Sequence, residues 1–180
     1  MVAAAMEATN AQQPTTQMPA AFAAERTLGR LAQWLRLMGF DTLSEIEYPR
    51  GSFMPHVGPE RIFLTRRRLL REAAVGLKTV FIQANDPKEQ AAELVRKAAI
   101  RPEHLHPFTR CIRCNERIKA VDRAAVLRSV PEYVWNTQTQ FSACPKCGRV
   151  YWKGSHTGRA LTQLREILRA AGIDEEDQMI

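Results

Sequence analysis

The clearest periodic stretch begins at Thr27, where TLGRLAQWLRLMG places Leu28, Leu31, Ala32, Leu35 and Met38 at helical spacing. Arg30, Gln33 and Arg36 fall off that stripe, and Gly39 stands where a helix C-terminus takes glycine. The pattern predicts an amphipathic helix lying on an apolar layer, with Trp34 as one of its packing residues. A short extended piece follows at 41–43, then a loop, EYPRGSFMPHVGPE, marked by its glycines and prolines. RIFLT (61–65) and KTVFIQ (78–83) have the short apolar character of buried strands, and the RRRLLREAAVG between them reads as a basic helix. NDPKEQAAELVRKAA opens another helix, with Asn85 or Asp86 as N-cap and Pro87 in the first turn. Strands alternating with helices predict a small α/β domain, a largely parallel sheet flanked by helices. Ligands of such sheets bind at the carboxyl ends of the strands, which here means the loops after Thr65 and Gln83.

A hinge, RPEHLHPFTR, leads from this domain into a cysteine-bearing module. The predicted division is a disordered leader over 1–20, the α/β domain over 21–107 and the module over 108–159. A helix at 161–170, closed by Gly172, and an acidic tail complete the chain over 160–180. Hydrophobic residues make up 45% and charged residues 25%, the composition of a globular protein. No apolar run approaches the roughly 18–20 residues that span a bilayer, so no membrane partner is expected. The first residues lack a signal peptide's basic start and apolar stretch, so the expected location is cytoplasmic, with reduced thiols. The net charge of +7 is uneven: residues 111–159 hold nine Lys/Arg against three Asp/Glu. A module that basic suits a polyanion such as RNA, or else presents a solubilising surface.

Every cysteine of the chain falls in one of two Cys-x-x-Cys pairs, CIRC and CPKC, separated by 29 residues. Two residues between thiolates let one tight turn aim both sulfurs at one ion, and two such turns complete a tetrahedral shell. Cys111, Cys114, Cys144 and Cys147 are therefore the expected ligands of a structural Zn²⁺ in a zinc ribbon. Positive neighbours, Arg113, Arg117, Lys146 and Arg149, offset part of the charge of four thiolates. The alternatives are two disulfides, a redox-active pair, or an iron–sulfur cluster on the same four sulfurs.

FTRCIRCN, VPEYVWNTQTQF and CPKCGRVYWKGSH closely resemble the signature of the Mut-seven C-terminal RNase domain family. LGRLAQWLRLMGFDT resembles that family's first helix and the strand after it, and FLTRRRLL and ANDPKEQ fall in register with its later elements. The resemblance covers roughly residues 22–159 and implies a PIN-like nuclease domain followed by a zinc ribbon. It also implies an acidic cluster that holds Mg²⁺ or Mn²⁺ and cleaves RNA, since hard divalent ions take carboxylate oxygens. Two positions depart from the family pattern. Glu25 stands where an Asp usually precedes the first helix, and Arg67 stands where another Asp usually follows Leu-Thr-Arg. The stretch where the family supplies further acidic residues is short and occupied by PRGSFMPHVGPE, which leaves Asp41, Glu45, Glu47 and Asp86 as the other candidates. A guanidinium cannot ligate a cation.

Positive charge at Arg66, Arg67, Arg68 and Arg71 instead suits an RNA backbone, as do Arg113, Lys146 and Arg149 in the ribbon. Trp152, Lys153 and His156, with Tyr151, add aromatic faces and cations suited to unpaired bases, or else pack the ribbon core. The leading expectation is an RNA-binding protein of PIN-like fold with a degraded catalytic centre, holding RNA or a ribonucleoprotein. One alternative is an active Mg²⁺- or Mn²⁺-dependent ribonuclease using Glu25, Asp41 and Asp86. The other is an adaptor that grips a protein partner.

Overall fold

The structure is a computed structural model that describes residues 21–173. The expected leader and the end of the acidic tail lie outside the described residues. The first element, β1 (Ala21–Ala24), is a strand that the sequence pattern does not announce, because AFAA has no β-branched residue and no alternation. After a 3-10 turn at Arg26–Leu28 come α1 (Gly29–Leu37), β2 (Thr42–Ser44), β3 (Arg61–Thr65) and α2 (Arg68–Ala73). β4 (Thr79–Phe81) and α3 (Pro87–Lys97) complete the run. The four strands pair in parallel in the order β2-β1-β3-β4, so the undeclared strand is central. Small alanines let both faces of it be covered. On one face Phe22 and Ala24 join Leu64 and Ile82 against α1 and α3; on the other, Ala23 and Phe63 pack on Phe53, Val57 and Ala74.

The chain then builds the second module: β5 (Lys119–Val121), α4 (Glu132–Thr137), β6 (Phe141–Ala143) and β7 (Val150–Trp152). Its antiparallel sheet, ordered β5-β6-β7, surrounds a small core of Val126, Val134 and Phe141. The last helix, α5, spans Ser155–Ala170 and begins six positions earlier than the sequence suggests. Leu164, Ile167 and Leu168 bury its apolar face in the main core, so α5 is a third helix of the α/β layer. The second module is thus held at both ends by the first. No described helix is long and apolar enough to cross a membrane.

One helical position is placed against its pattern. Arg36 lies off the apolar stripe of α1, yet only 1% of it is exposed. Its Nε and Nη2 donate to the Thr42 carbonyl at 2.9 and 2.7 Å. Nη1 and Nη2 grip the Glu47 carboxylate at 2.5 and 3.0 Å, and Nη1 also donates to the carbonyls of Ile112 and Arg113 at 3.2 and 3.0 Å. Those two carbonyls belong to the first cysteine knuckle. Asn115, in a left-handed conformation at φ 65°, accepts from the Thr42 N–H at 2.9 Å and donates to Asp41 at 2.8 Å. The hinge is seated by His106 N–H on the Met38 carbonyl and Phe108 N–H on Leu37, both 2.9 Å. A side chain at Gly39 (φ +100°) would collide with the His106 carbonyl, which explains the glycine.

This docking also relocates Asp41. Phe22 is level with Thr42 in the parallel register, so Asp41 sits at the amino end of the sheet while Glu25 follows the carboxyl end of β1. Four residues of strand separate the two levels, roughly 13 Å at about 3.3 Å per residue. The grouping of Asp41 with Glu25 and Asp86 that the alternative ribonuclease reading requires does not form among the described residues. Asp41 instead accepts from Arg61 and Asn115, each at 2.8 Å, with Arg110 at 3.7 Å. Partial burial works to raise its pKa, but those hydrogen bonds and the arginine charges outweigh it and hold the carboxyl below its ordinary value.

Two outcomes follow. Replacing Arg36 by Met strands three carbonyls and one carboxylate, and is expected to cost about 3 kcal/mol of unfolding free energy, read from urea denaturation. The stabilisation from Asp41, whose folded pKa is depressed, is present above its ordinary value of 3.8 and is lost as pH falls below it. Asp41→Asn should therefore lower Tm at neutral pH and flatten its decline on acidification.

Candidate metal centre and nucleic-acid interface

The two cysteine knuckles are near-copies. In the first, Cys111 N–H donates to the Glu116 carbonyl and Asn115 N–H to the Cys111 carbonyl; in the second, Cys144 pairs with Arg149 and Gly148 with Cys144. Asn115 and Gly148 occupy the same left-handed position, φ 65° and 68°. The four sulfurs lie within 4.8 Å of one another, and the Cys111 and Cys147 sulfurs are 3.8 Å apart. A tetrahedron with Zn–S bonds of ~2.3 Å has edges of about 3.8 Å, so the donor set fits one Zn²⁺ and is too tight a cage for a cluster of several irons.

Burial and neighbouring sulfurs oppose the ionisation of Cys114 and Cys144. Burial and the neighbouring sulfurs of Cys147 and Cys111 push the Cys114 thiol up to about 12. At Cys111 burial acts in the same direction but is overcome by hydrogen bonds from the Tyr151 hydroxyl and from backbone N–H groups, which bring it down to about 7. The Tyr151 hydroxyl donates to the Cys111 sulfur at 3.1 Å, and the Cys114 N–H does so at 3.3 Å. Tyr151 is therefore a support of the thiolate shell, and not a free face for a base.

At the other site, the parallel register sets neighbouring strand ends side by side. Ala24 is level with Ser44 and with Leu64, so Glu25, Glu45 and the Thr65–Arg67 turn emerge together where the chain crosses from β2 over to β3. That is the switch point at which open parallel sheets form their crevice. Glu25 is 1% exposed, and its Oε1 accepts from the Thr27 hydroxyl at 2.6 Å and the Arg66 N–H at 2.9 Å. Glu45 accepts from the Arg26 N–H at 2.9 Å. A cavity of about 440 Å³ opens between them, bounded also by Arg50, Arg67, Phe53 and Met54.

Residues 20–164 match the family model for the Mut7-C RNAse domain. The chain belongs to that family. No curated protein and no solved structure matches it.

The Mut7-C chain does not assemble its acidic candidates into one group. Among the described residues, the four cysteines are the one set of three or more His, Cys, Asp or Glu side chains close enough to share an ion. Asp86 caps α3, accepting from the Lys88 and Glu89 N–H groups at 2.8 and 3.3 Å, as its N-cap reading requires. It lines a separate groove with Trp34 and Arg30. Around Glu25 the charged neighbours are Glu45, Arg26, Arg50 and Arg67, a mixture that does not fit a shared Mg²⁺ or Mn²⁺.

The arginine run after β3 is dispersed. Arg67 lies at the rim of the cavity, exposed, its N–H on Thr65 Oγ1 at 3.0 Å. Arg66 reaches Asn85 in the loop after β4, Arg71 lies 5.2 Å over the Phe81 ring, and Arg68 is exposed at the start of α2. In the ribbon, Arg113, Lys146, Arg149 and Lys153 are exposed, and Arg113 and Arg149 flank a groove shared with Gln33 and Ile46 of the α/β domain. Trp152 packs partly on the ribbon core, with exposed His156 of α5 edge-on to it at 5.4 Å. The positions that pattern reading missed are Arg26 and Arg50, and Glu45 was visible only as one of several loop acids. Their signal was the strand register, which no local motif carries.

Removing the Tyr151 hydroxyl as Tyr151→Phe should weaken Zn²⁺ binding about tenfold, read by competition with a chromophoric chelator. Cys144→Ser should leave no stoichiometric zinc in the purified chain, by metal analysis.

Proposed function

We propose that this chain holds single-stranded RNA through a basic surface that joins the sheet's carboxyl-end cavity to the zinc ribbon, with the metal-dependent cleavage of its family lost. The observation that carries the reading is the company of Glu25. Where the family resemblance calls for further carboxylates around a divalent ion, this chain brings Arg50 and Arg67 to the same cavity. Guanidinium groups repel a cation and attract a phosphodiester. Family membership makes RNA the polyanion of choice, and the exposed cations of the knuckles continue the positive surface past Gln33 and Ile46. The zinc in this reading is structural: it fixes the knuckles that carry Arg113, Lys146 and Arg149.

The test is a binding and cleavage assay on one labelled single-stranded RNA. Arg67→Ala is expected to weaken binding several-fold and to lower the slope of log K against log salt by about 0.7, the loss of one phosphate contact. No cleavage should develop with Mg²⁺ or Mn²⁺. Metal-dependent cleavage abolished by Glu25→Gln would overturn the proposal.

A further inference from the structure

Glu25 has one buried carboxylate oxygen with no hydrogen-bond partner among the described residues. Its Oε1 has two donors, from Thr27 and Arg66, whereas Oε2 is buried and accepts from nothing among the described residues. A buried acceptor left without a donor costs free energy, so a ligand that supplies the donor gains more here than at a wet surface. The residue lines the cavity of about 440 Å³, a volume within the range of small-ligand sites.

The walls restrict what that ligand is. Arg26 is already spent, since its guanidinium donates to the carbonyls of Glu45 and Tyr48 at 3.1 Å each. Arg50 and Arg67 have no side-chain hydrogen bond or ion pair among the described residues, and so are open to an anion. Phe53, Met54 and Leu70 offer an apolar side to the same space. The occupant must therefore place an anionic group, an uncharged hydrogen-bond donor and an apolar surface within one small volume. The donor cannot belong to the anion, because a phosphate against Glu25 would be repelled.

In a nucleic-acid strand, one such donor sits on every unit beside its phosphate whatever the base: the ribose 2′-hydroxyl. Resting on the RNA-holding reading above, we infer that Glu25 Oε2 accepts the 2′-hydroxyl of a nucleotide whose phosphate lies against Arg67 and Arg50, so that this cavity selects RNA over DNA. Glu25 is then a specificity residue, and the hydrogen bonds from Thr27 and the Arg66 N–H hold its Oε1 and leave Oε2 for the ligand. The base itself meets the apolar side, which is tolerant of sequence.

The experiment uses the zinc-loaded full chain, without Mg²⁺ or Mn²⁺, and three labelled 12-mers of one sequence: RNA, DNA and 2′-O-methyl RNA. The methylated strand keeps the ribose oxygen and removes the donor. The wild-type chain is expected to bind RNA about tenfold more tightly than either of the others. Glu25→Gln conserves shape; its amide oxygen serves Thr27 and the Arg66 N–H, which turns an NH₂ donor into the cavity. That variant should bind the 2′-O-methyl strand about as well as RNA, with DNA still weaker. Equal wild-type binding of RNA and DNA overturns the inference and leaves the RNA-holding reading standing, as does a preference for RNA over the 2′-O-methyl strand that Glu25→Gln leaves intact. Binding of none of the three strands overturns both. A gain of binding on adding Mn²⁺ that Glu25→Gln removes would make Oε2 a metal ligand and overturn the inference as well.

Discussion

Arg36 carries a full charge that folding has taken out of water, and the rest of the architecture is arranged around satisfying it. Removing a guanidinium from solvent costs several kcal/mol unless its donors are all matched. Here the acceptors come from three separate places: the Thr42 carbonyl at the start of β2, the Glu47 carboxylate in the turn beyond that strand, and the Ile112 and Arg113 carbonyls of the first knuckle. The last two lie 76 and 77 positions away in sequence. Helix α1, the sheet edge and the ribbon must therefore all be in place before the charge is accommodated. Asn115 and Asp41 reinforce the same seam with uncharged and charged hydrogen bonds at the amino end of the sheet.

That seam changes the relation of the two modules. The chain leaves the α/β layer through the hinge, builds the ribbon and returns in α5, whose leucines and isoleucine fill the first core. The ribbon is thus inserted into the α/β fold, where the sequence division reads it as an appendage. The cysteine knuckles enter the same chain of dependence. The four cysteine sulfurs converge within 4.8 Å of one another, and the first knuckle presents the carbonyls that Arg36 requires. The docked knuckles bring Arg113 and Arg149 beside Gln33 and Ile46.

The opposite end of the sheet shows how a parallel register makes a site from residues with no sequence relation. Glu25 and Glu45 follow strands that pair level at Ala24 and Ser44, and the Thr65–Arg67 turn follows the strand on the other side. Two carboxylates among arginines form a nearly balanced cluster, unlike the concentrated negative charge that draws a hard divalent ion. Asp86, which also follows a strand, is occupied with capping α3 and serves that helix by satisfying its first N–H groups.

By itself the sequence determined those features that are local in the chain. Cys-x-x-Cys spacing defines a turn, so the convergence of the four cysteines into one group suited to a metal is readable without a fold. The stripe from Leu28 to Met38 and the Asp86–Pro87 start define helices, because 3.6-residue periodicity and capping act within a few positions. Alternating helices and strands implied the parallel sheet, and the family resemblance is confirmed over residues 20–164. Tertiary structure decided what depends on distant partners. Burial of the AFAA strand on both faces, the sinking of Arg36 from an apparent polar face, and the start of α5 at Ser155 all arise from packing against segments far along the chain. Asp41 and Glu25 make the point most directly. Both are acids next to a strand of one sheet, and only the direction and register of those strands send one to the ribbon seam and the other to the cavity.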